Sequence, residues 1–255
     1  MMELVPADFT TLDRAALAWF LLIWLGYGPL IRALPSPKSI TSRMLRVRRA
    51  WMHAMLGRDN RITDASLIGH AVHSATFFAS TTVVALAALL GVLGNLDRAH
   101  TAIGELAFAA KTSHPFLEGK LLLLILVFSH TFLKLSWALR QLNYCVAIIG
   151  AAPLKPNPAQ RDRIADRTSV VLSLTVSSFN AGIRGYYFAL AALAWLLGPA
   201  AFVLATSGMA AMLLWRQFGS ATSEAIGWGL AALDGEDAVS GRYDTIDRPV
   251  YADGA

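Results

Sequence analysis

The chain has 255 residues, 55% of them hydrophobic and only 15% charged, whereas a soluble domain carries about 25% charged residues, so the composition predicts a membrane protein. The single cysteine, Cys145, excludes a disulfide within one chain and any metal or iron–sulfur site built from cysteines alone. The net charge is +5, and eight of the 22 lysines and arginines lie in the segment from Arg32 to Arg61, beside predicted spans. This location favours contacts with anionic lipid headgroups and argues against a nucleic-acid partner.

The first predicted span covers residues 15–34, an apolar run that contains Trp19 and Trp24. Residues 1–14 are acidic, which is the wrong sign for a signal peptide, and no small-residue cleavage site follows, so we expect no cleaved signal. Because acidic residues precede this span and basic residues follow it, the positive-inside rule places the N-terminus outside.

Residues 39–57 predict a basic amphipathic helix. Its apolar stripe consists of Met44, Val47, Trp51, Met52 and Met55. Four arginines lie mostly off that stripe: Arg43, Arg46, Arg48 and Arg49. The pattern is typical of a helix that lies in the membrane interface, and equally of a helix docked on the cytoplasmic end of a bundle. Both placements remain open from the sequence.

Two long helices follow in opposite directions. Residues 65–96 predict an outward span, and residues 97–118 predict a short external segment. Residues 119–150 predict one helix about 48 Å long, well beyond a bilayer core of about 30 Å. This helix is expected to cross the membrane inward over residues 119–141 and to project its polar second half into the cytoplasm.

The last hydrophobic block covers residues 184–215 and is interrupted by Gly198 and Pro199. We favour a single kinked crossing, which places Arg184 at the cytoplasmic interface. The alternative is two crossings within residues 165–215, with Gly198 and Pro199 as an external turn. In that case Arg184 is expected to lie within the membrane, paired with Asn143 or Asn180.

The whole chain is therefore expected to be an all-α, polytopic membrane helix bundle of about four spans with interfacial and cytoplasmic helical extensions. One such extension is residues 159–182, a helix expected to pack against the projecting half of 119–150. Residues 234–255 are acidic and poor in large apolar residues, which predicts a disordered tail after a single domain over 1–233.

Five stretches of the sequence resemble a known family. They are RDNRI at 58–62, FFASTT at 77–82, ALRQLNY at 138–144, IGAAP at 149–153 and FNAGIRGYYF at 179–188. In this order they are similar to the family catalogued as domain of unknown function 599, and the resemblance spans roughly residues 15–220. It implies a bacterial integral membrane protein of about four spans, and hence the bacterial inner membrane, and it implies no activity.

Two ionisable residues lie within the third predicted span. Lys134 is one turn short of the interface, so we expect it to extend past Trp137 to the headgroups as an anchor. His130 lies deeper, where a neutral imidazole bonded to a hydroxyl of a neighbouring span is expected. A functional role is the alternative for both, because charges in hydrocarbon are costly.

A polar cluster is predicted where the two long cytoplasmic arms pack together. Its members are Arg140, Gln141, Asn143, Asn180 and Arg184. A further group from the 58–62 stretch is able to join it: Arg58, Asp59, Asn60 and Arg61. Such a cluster predicts either a pocket for an anion, a lipid phosphate or a partner's carboxylate, or a structural hydrogen-bond network.

A haem held by two histidines is a weak alternative. His70 and His73 on the second span are expected to face His130 on the third, but counting residues puts His73 and His130 about 7 Å apart in depth. We therefore expect no cofactor and no metal. The sequence also lacks the common catalytic and phosphate-loop motifs, so an enzyme is not expected.

The sequence favours a non-enzymatic scaffold or accessory subunit of a membrane complex, acting as a homo-oligomer or beside other subunits. Small residues in the second span suit close helix packing and support this hypothesis. The alternative is a carrier or channel for a small anion or lipid headgroup that uses the predicted arginine cluster.

Overall fold

The computed structural model describes residues 6, 8–34, 36, 39–105, 110 and 112–234, and all regular structure in this part of the chain is helical. The elements are α1 (Thr11–Ala33), α2 (Ile40–Leu56), α3 (Ile62–Gly94), α4 (Leu96–Gly104), α5 (His114–Ala151), α6 (Pro158–Leu193), a 3₁₀ turn (Ala194–Leu197), α7 (Pro199–Phe218) and α8 (Ala221–Asp234). The predicted all-α fold is confirmed. The predicted acidic tail lies, from residue 235 onward, outside the described residues.

Within the described part of the chain, four helical stretches are long and apolar enough to cross a membrane. They are Thr11–Ala33, Ile62–Gly94, His114–Ala151 and Pro199–Leu233. The first three confirm the predicted spans 15–34, 65–96 and 119–141 as long apolar helices, whereas the fourth replaces the predicted span 184–215.

The first helix begins earlier than predicted because a capping box starts it. The Thr10 hydroxyl accepts a hydrogen bond from the Asp13 backbone amide, and the Asp13 carboxylate accepts one from the Thr10 backbone amide. These reciprocal bonds satisfy amides that have no partner in the first turn of a helix.

α5 and α6 form a long antiparallel hairpin in the centre of the molecule. Two glycines of α6 let the helices approach closely. A Cβ atom on Gly182 would lie 2.6 Å from the Leu135 side chain, and one on Gly185 would collide with Thr131. The helices therefore touch along a seam in which larger residues do not fit.

The last hydrophobic block turns back on itself. α6 ends at Leu193, and after the 3₁₀ turn Gly198 adopts a φ of 129°, a conformation that favours glycine. Pro199 then occupies the first turn of α7, where its missing amide hydrogen costs nothing. The favoured single crossing over residues 184–215 is wrong, because a glycine with positive φ followed by proline ends the helix instead of kinking it.

α7 runs antiparallel to α6. Near the start of α7, Phe202 stacks on Trp195 with ring centroids 4.8 Å apart. Near its end, Arg216 donates a hydrogen bond to the Tyr187 hydroxyl of α6 at 3.0 Å. The sequence alternative of a turn at Gly198 is the arrangement found.

α2 docks on the bundle. Met52 and Met55 are fully buried, and Leu56 is 2% exposed, in a cluster with Ala165 and Leu172 of α6. Of the two placements that the sequence left open, the structure adopts the docked one.

Arg48 lies on the buried side of α2, so the prediction that it lies off the apolar stripe is wrong. Its Nε donates a hydrogen bond to the Ser173 hydroxyl of α6 at 2.8 Å, and only 7% of the residue is exposed. Burial lowers the pKa of its guanidinium. The long apolar stem of an arginine allows it to pack against a neighbouring helix while its head finds a hydroxyl.

Candidate functional site

The side chain of Arg184 extends from α6 towards α1 and contacts the last two turns of that helix. Its Cζ lies 5.2 Å from the centroid of the Tyr27 ring. Tyr27 is buried, whereas Arg184 is partly exposed. A guanidinium over a tyrosine ring is a cation–π contact, and it holds the charged group at a fixed position while leaving part of it accessible.

Two more arginines lie around this contact. We define the basic cluster as Arg32, Arg184 and Arg216 with Tyr27 and Tyr187. Arg216 lies in the last turn of α7 and Arg32 in the last turn of α1. Arg32 Nε donates a hydrogen bond to the Gly28 carbonyl at 3.4 Å, and Arg184 Nη2 would lie 3.9 Å from a Cβ atom on Gly28. Arg216 bonds the hydroxyl of Tyr187, which lies one turn from Arg184 on α6. The three helix segments therefore bring three positive charges into one region.

The basic cluster has no acidic partner in the described part of the chain. The ion pairs described within 4 Å are Arg49–Asp166, His53–Asp162, His53–Asp166, Arg58–Asp64 and His114–Asp97. Neighbouring like charges repel, and the repulsion grows where water is partly excluded. An anion with several oxygen atoms would relieve it, because each guanidinium offers a planar set of donors.

The predicted polar cluster does not form across the two arms, although Arg140 and Asn143 line the same open concavity on α5. Arg140 is exposed on α5, and its Nε donates to the Tyr144 hydroxyl of the same helix at 2.9 Å. Asn143 and Asn180 are also exposed, whereas Gln141 is buried with its Oε1 lacking a hydrogen-bond partner in the described residues. Arg184 contacts Tyr27 of α1, and its described contacts include neither Asn143 nor Asn180, the partners expected for two crossings.

The 58–62 stretch forms a separate junction. Arg61 Nη1 donates to the Ala152 carbonyl at 2.8 Å and Nη2 donates to the Pro153 carbonyl at 2.7 Å. Arg58 pairs with the buried Asp64, which also accepts a hydrogen bond from Trp51 Nε1. These contacts join α2, the start of α3 and the end of α5.

The other two members of that stretch have local positions. The Asn60 side chain accepts a hydrogen bond from the Ile62 backbone amide at 2.9 Å and so supports the first turn of α3. Asp59 is exposed. The prediction that the residues of the 58–62 stretch join the arginine cluster is wrong, because Arg61 bonds the end of α5 while Arg58 and Asn60 bond residues at the start of α3.

His130 packs against α1. Its ring lies edge-to-face on Trp24 with centroids 5.3 Å apart, so its described contact is aromatic and not the predicted hydroxyl. Lys134, one turn further along α5, is partly exposed. Its role as an anchor to the headgroups stays a prediction.

The histidines proposed for haem face different directions. Ala75 of α3 is buried against the α5 side of the bundle. At 3.6 residues per turn, His73 lies about 160° and His70 about 140° around the helix from Ala75. Both are exposed, whereas His130 faces α1. These histidines therefore do not face one another as two axial ligands of a haem would have to. The described residues also contain no group of three or more His, Cys, Asp or Glu side chains able to hold a metal ion.

Sequence reasoning missed Arg32, Arg216 and Tyr27 as members of one site. The available signal was their position near the ends of apolar helices, where arginine and tyrosine commonly lie at the membrane interface. Their grouping depends on the turn at Gly198, which returns α7 to the same end of the bundle.

A second buried polar group at the other end of the bundle was also missed. Lys120 is 4% exposed; its Nζ donates to the Thr112 hydroxyl at 3.2 Å and lies 4.4 Å from the centroid of the Phe116 ring. Asp13 is 3% exposed and accepts a hydrogen bond from Trp195 Nε1 at 2.8 Å. These contacts tie the starts of α1 and α5 to each other and to the 3₁₀ turn that follows α6.

A family model that covers most of the chain identifies the family to which the protein belongs. The model of a protein of unknown function, DUF599, matches residues 15–222. The chain belongs to the DUF599 family. No curated protein and no solved structure matches it. The resemblance noted in the sequence is thereby confirmed, and it assigns no activity.

Several of the stretches that resemble DUF599 contact one another in this structure. The Tyr186 hydroxyl lies 2.7 Å from the Thr82 hydroxyl and donates to the Phe78 carbonyl, joining 179–188 to 77–82. Arg61 joins 58–62 to the end of α5 as described above. These polar contacts fix α3 against the central hairpin.

Proposed function

We propose that this DUF599 protein is a non-enzymatic scaffold or accessory subunit of a complex in the bacterial inner membrane, acting as a homo-oligomer or beside other subunits. The supporting observation is the length and rigidity of the central hairpin. The 38 residues of α5 are about 57 Å long, roughly 27 Å more than a bilayer core. A large part of the hairpin therefore stands outside the hydrocarbon.

The projecting part of the hairpin is held rigidly. Arg61 bonds its connecting turn, and Arg161 Nη2 donates to the His53 carbonyl of α2 at 3.0 Å. Arg49 and Asp166 pair across α2 and α6. A rigid platform is suited to protein contact, because little ordering entropy is lost when a partner binds.

One side of the first half of α6 remains uncovered. An exposed stripe follows helical spacing and combines two cations with two apolar side chains. Its residues are Arg163, Arg167, Val170 and Leu174. We assign the partner contact to this platform stripe, since a mixed apolar and arginine surface is typical of protein interfaces.

The orientation of the bundle is part of this proposal. The end that carries α2 and the turn between α5 and α6 also carries most of the described arginines, whereas the opposite end has few basic residues. By the positive-inside rule the arginine-rich end is cytoplasmic, which places the N-terminus outside and the platform stripe in the cytoplasm.

Photo-cross-linking in the native membrane tests the scaffold. A photoreactive residue at Arg167 should give an adduct with another protein or with a second copy. The same residue at Thr76, exposed on α3, serves as the control and should give no protein adduct. A chain that stays monomeric without an adduct at position 167 would contradict the proposal.

The carrier or channel alternative has lost the site for which it was advanced, because Arg140 and Arg184 contact different partners. The predicted pair of Arg140 and Arg184 therefore gives no support to a transport function.

A further inference from the structure

We propose that the basic cluster of Arg32, Arg184, Arg216, Tyr27 and Tyr187 is a binding site for a phosphate group. The site lies among α1, α6 and α7 and is distinct from the platform stripe. It does not depend on the scaffold function.

The first argument is the charge of the cluster. Arg184 lies over the Tyr27 ring, Arg216 donates to the Tyr187 hydroxyl, and Arg32 bonds the carbonyl of Gly28, the residue beside which the Arg184 guanidinium lies. The described part of the chain offers these three cations no carboxylate within ion-pair distance. Only neutral groups hold them in place, so their combined charge is available to a ligand.

The second argument is geometry. A phosphate group presents three or more oxygens around one centre and accepts charge-assisted hydrogen bonds from several guanidiniums. Its charge of up to about −2 also offsets more positive charge than the −1 of a carboxylate. Three arginines from three separate helices therefore match a phosphate better than a carboxylate.

The third argument is depth. Arg32 lies in the last turn of α1, a stretch long and apolar enough to cross a membrane, and Arg216 lies in the last turn of α7, at the same end of the bundle. The end of a span is the level at which phospholipid phosphates lie. Arg32 and Arg216 are exposed and Arg184 is partly exposed, so a phosphate has access from the interface. The phosphate of a membrane lipid and a free phosphate share the chemistry that the cluster binds.

The test uses the full-length protein in mild detergent and native mass spectrometry. The probes are phosphatidic acid, diacylglycerol with the same acyl chains but no phosphate, and inorganic phosphate. We expect phosphatidic acid to bind and diacylglycerol not to bind. The double variant Arg184→Gln with Arg216→Gln should weaken phosphatidic acid binding about tenfold or more, because two charge-assisted sets of hydrogen bonds are lost.

The matched control is Arg98→Gln, which removes one exposed arginine of α4 that belongs to neither the basic cluster nor the platform stripe. It should bind phosphatidic acid like the unchanged protein. If the double variant does not fold, Arg216→Gln alone is used, since Arg216 is exposed at the end of α7, and it should still reduce binding several-fold.

Competition separates the two sources of phosphate. Displacement of phosphatidic acid by inorganic phosphate supports a site for free phosphate, and failure to displace it supports a lipid headgroup site. Equal binding of diacylglycerol and phosphatidic acid, or unchanged binding by the folded variants, would overturn the proposal. Neither result bears on cross-linking at Arg167, so the two proposals fail separately.

Discussion

At the scale of single residues, the free carbonyls at the end of α5 obtain their hydrogen bonds from Arg61. This side chain bonds the Ala152 and Pro153 carbonyls and approaches that of Ile149 at 3.4 Å. The last carbonyls of any helix lack partners within the helix, and a cation there also interacts favourably with the helix dipole. Arg61 therefore closes the projecting end of the central helix.

Replacement of Arg61 by Ala should lower the free energy of unfolding by about 1–3 kcal/mol, because several carbonyls lose a charged donor. Denaturant titration of the detergent-solubilised protein, followed by helical circular dichroism, measures the change. Arg163→Ala is the control and should stay within about 0.5 kcal/mol, as an exposed arginine bonded within its own helix. Equal losses for both variants would show that Arg61 does not cap α5.

At the scale of elements, the pairing of α5 with α6 depends on small residues. Helices in a membrane gain little from hydrophobic burial, so close backbone approach supplies much of their association. Gly182 and Gly185 provide it against Leu135 and Thr131. A seam of this kind is sensitive to a single added methyl group.

Gly185→Ala should destabilise the hairpin by about 1–3 kcal/mol, because the added Cβ collides with Thr131. Gly69→Ala on α3 is the matched control, since its added Cβ meets nothing within 4 Å. It should be neutral or gain up to about 1 kcal/mol from helix propensity. Thermal unfolding of both variants in one detergent distinguishes them, and a stabilised Gly185→Ala protein would contradict the close seam.

The clamp between α2 and α6 predicts a dependence on pH. Arg49 Nε donates to the Asp166 carboxylate at 2.6 Å, and this bond, with a smaller effect from His53, holds the pKa of Asp166 below its ordinary value of 3.8. A carboxylate with a lowered pKa in the folded state stabilises the protein above its unfolded pKa. That contribution is lost as the pH falls from about 3.8 through the lower folded value.

Asp166→Asn should therefore cost at most about 1 kcal/mol at neutral pH, since the pair is largely exposed and screened. The difference from the unchanged protein should vanish once the pH lies below the folded pKa of Asp166. Unfolding titrations at several pH values measure it, with Asp59→Asn at an exposed position as the control. If the two proteins still differ in free energy of unfolding in acid, the charge of the Asp166 carboxylate is not the source of that difference.

At the scale of the whole molecule, the turn at Gly198 decides which helix ends meet. Because α7 returns along α6, its end reaches the α2 side of the bundle, where Gln217 Nε2 donates to the Thr41 hydroxyl at 2.7 Å. Arg43 of α2 likewise bonds Ser223 at the start of α8. The basic cluster exists only because of this return.

Single cysteines in a Cys145→Ala background test the return. Glu105→Cys and Leu197→Cys should be labelled from one side of the membrane by an impermeant maleimide, and Lys155→Cys and Ser220→Cys from the other. Labelling of positions 197 and 220 from the same side would overturn the antiparallel arrangement of α6 and α7.

The sequence by itself determined the helices of this protein. Hydrocarbon forces backbone hydrogen bonds to be satisfied internally, so apolar runs such as 15–34 and 65–96 predict helices without knowledge of their neighbours. The amphipathic pattern of 39–57 was likewise sufficient to predict α2. Only the tertiary structure decided that Arg184 meets Tyr27, that Arg61 reaches Pro153 and that α7 returns at Gly198. Hydropathy is nearly uniform around a membrane helix and does not select its partners, which are selected instead by close packing and polar contacts between residues far apart in the chain.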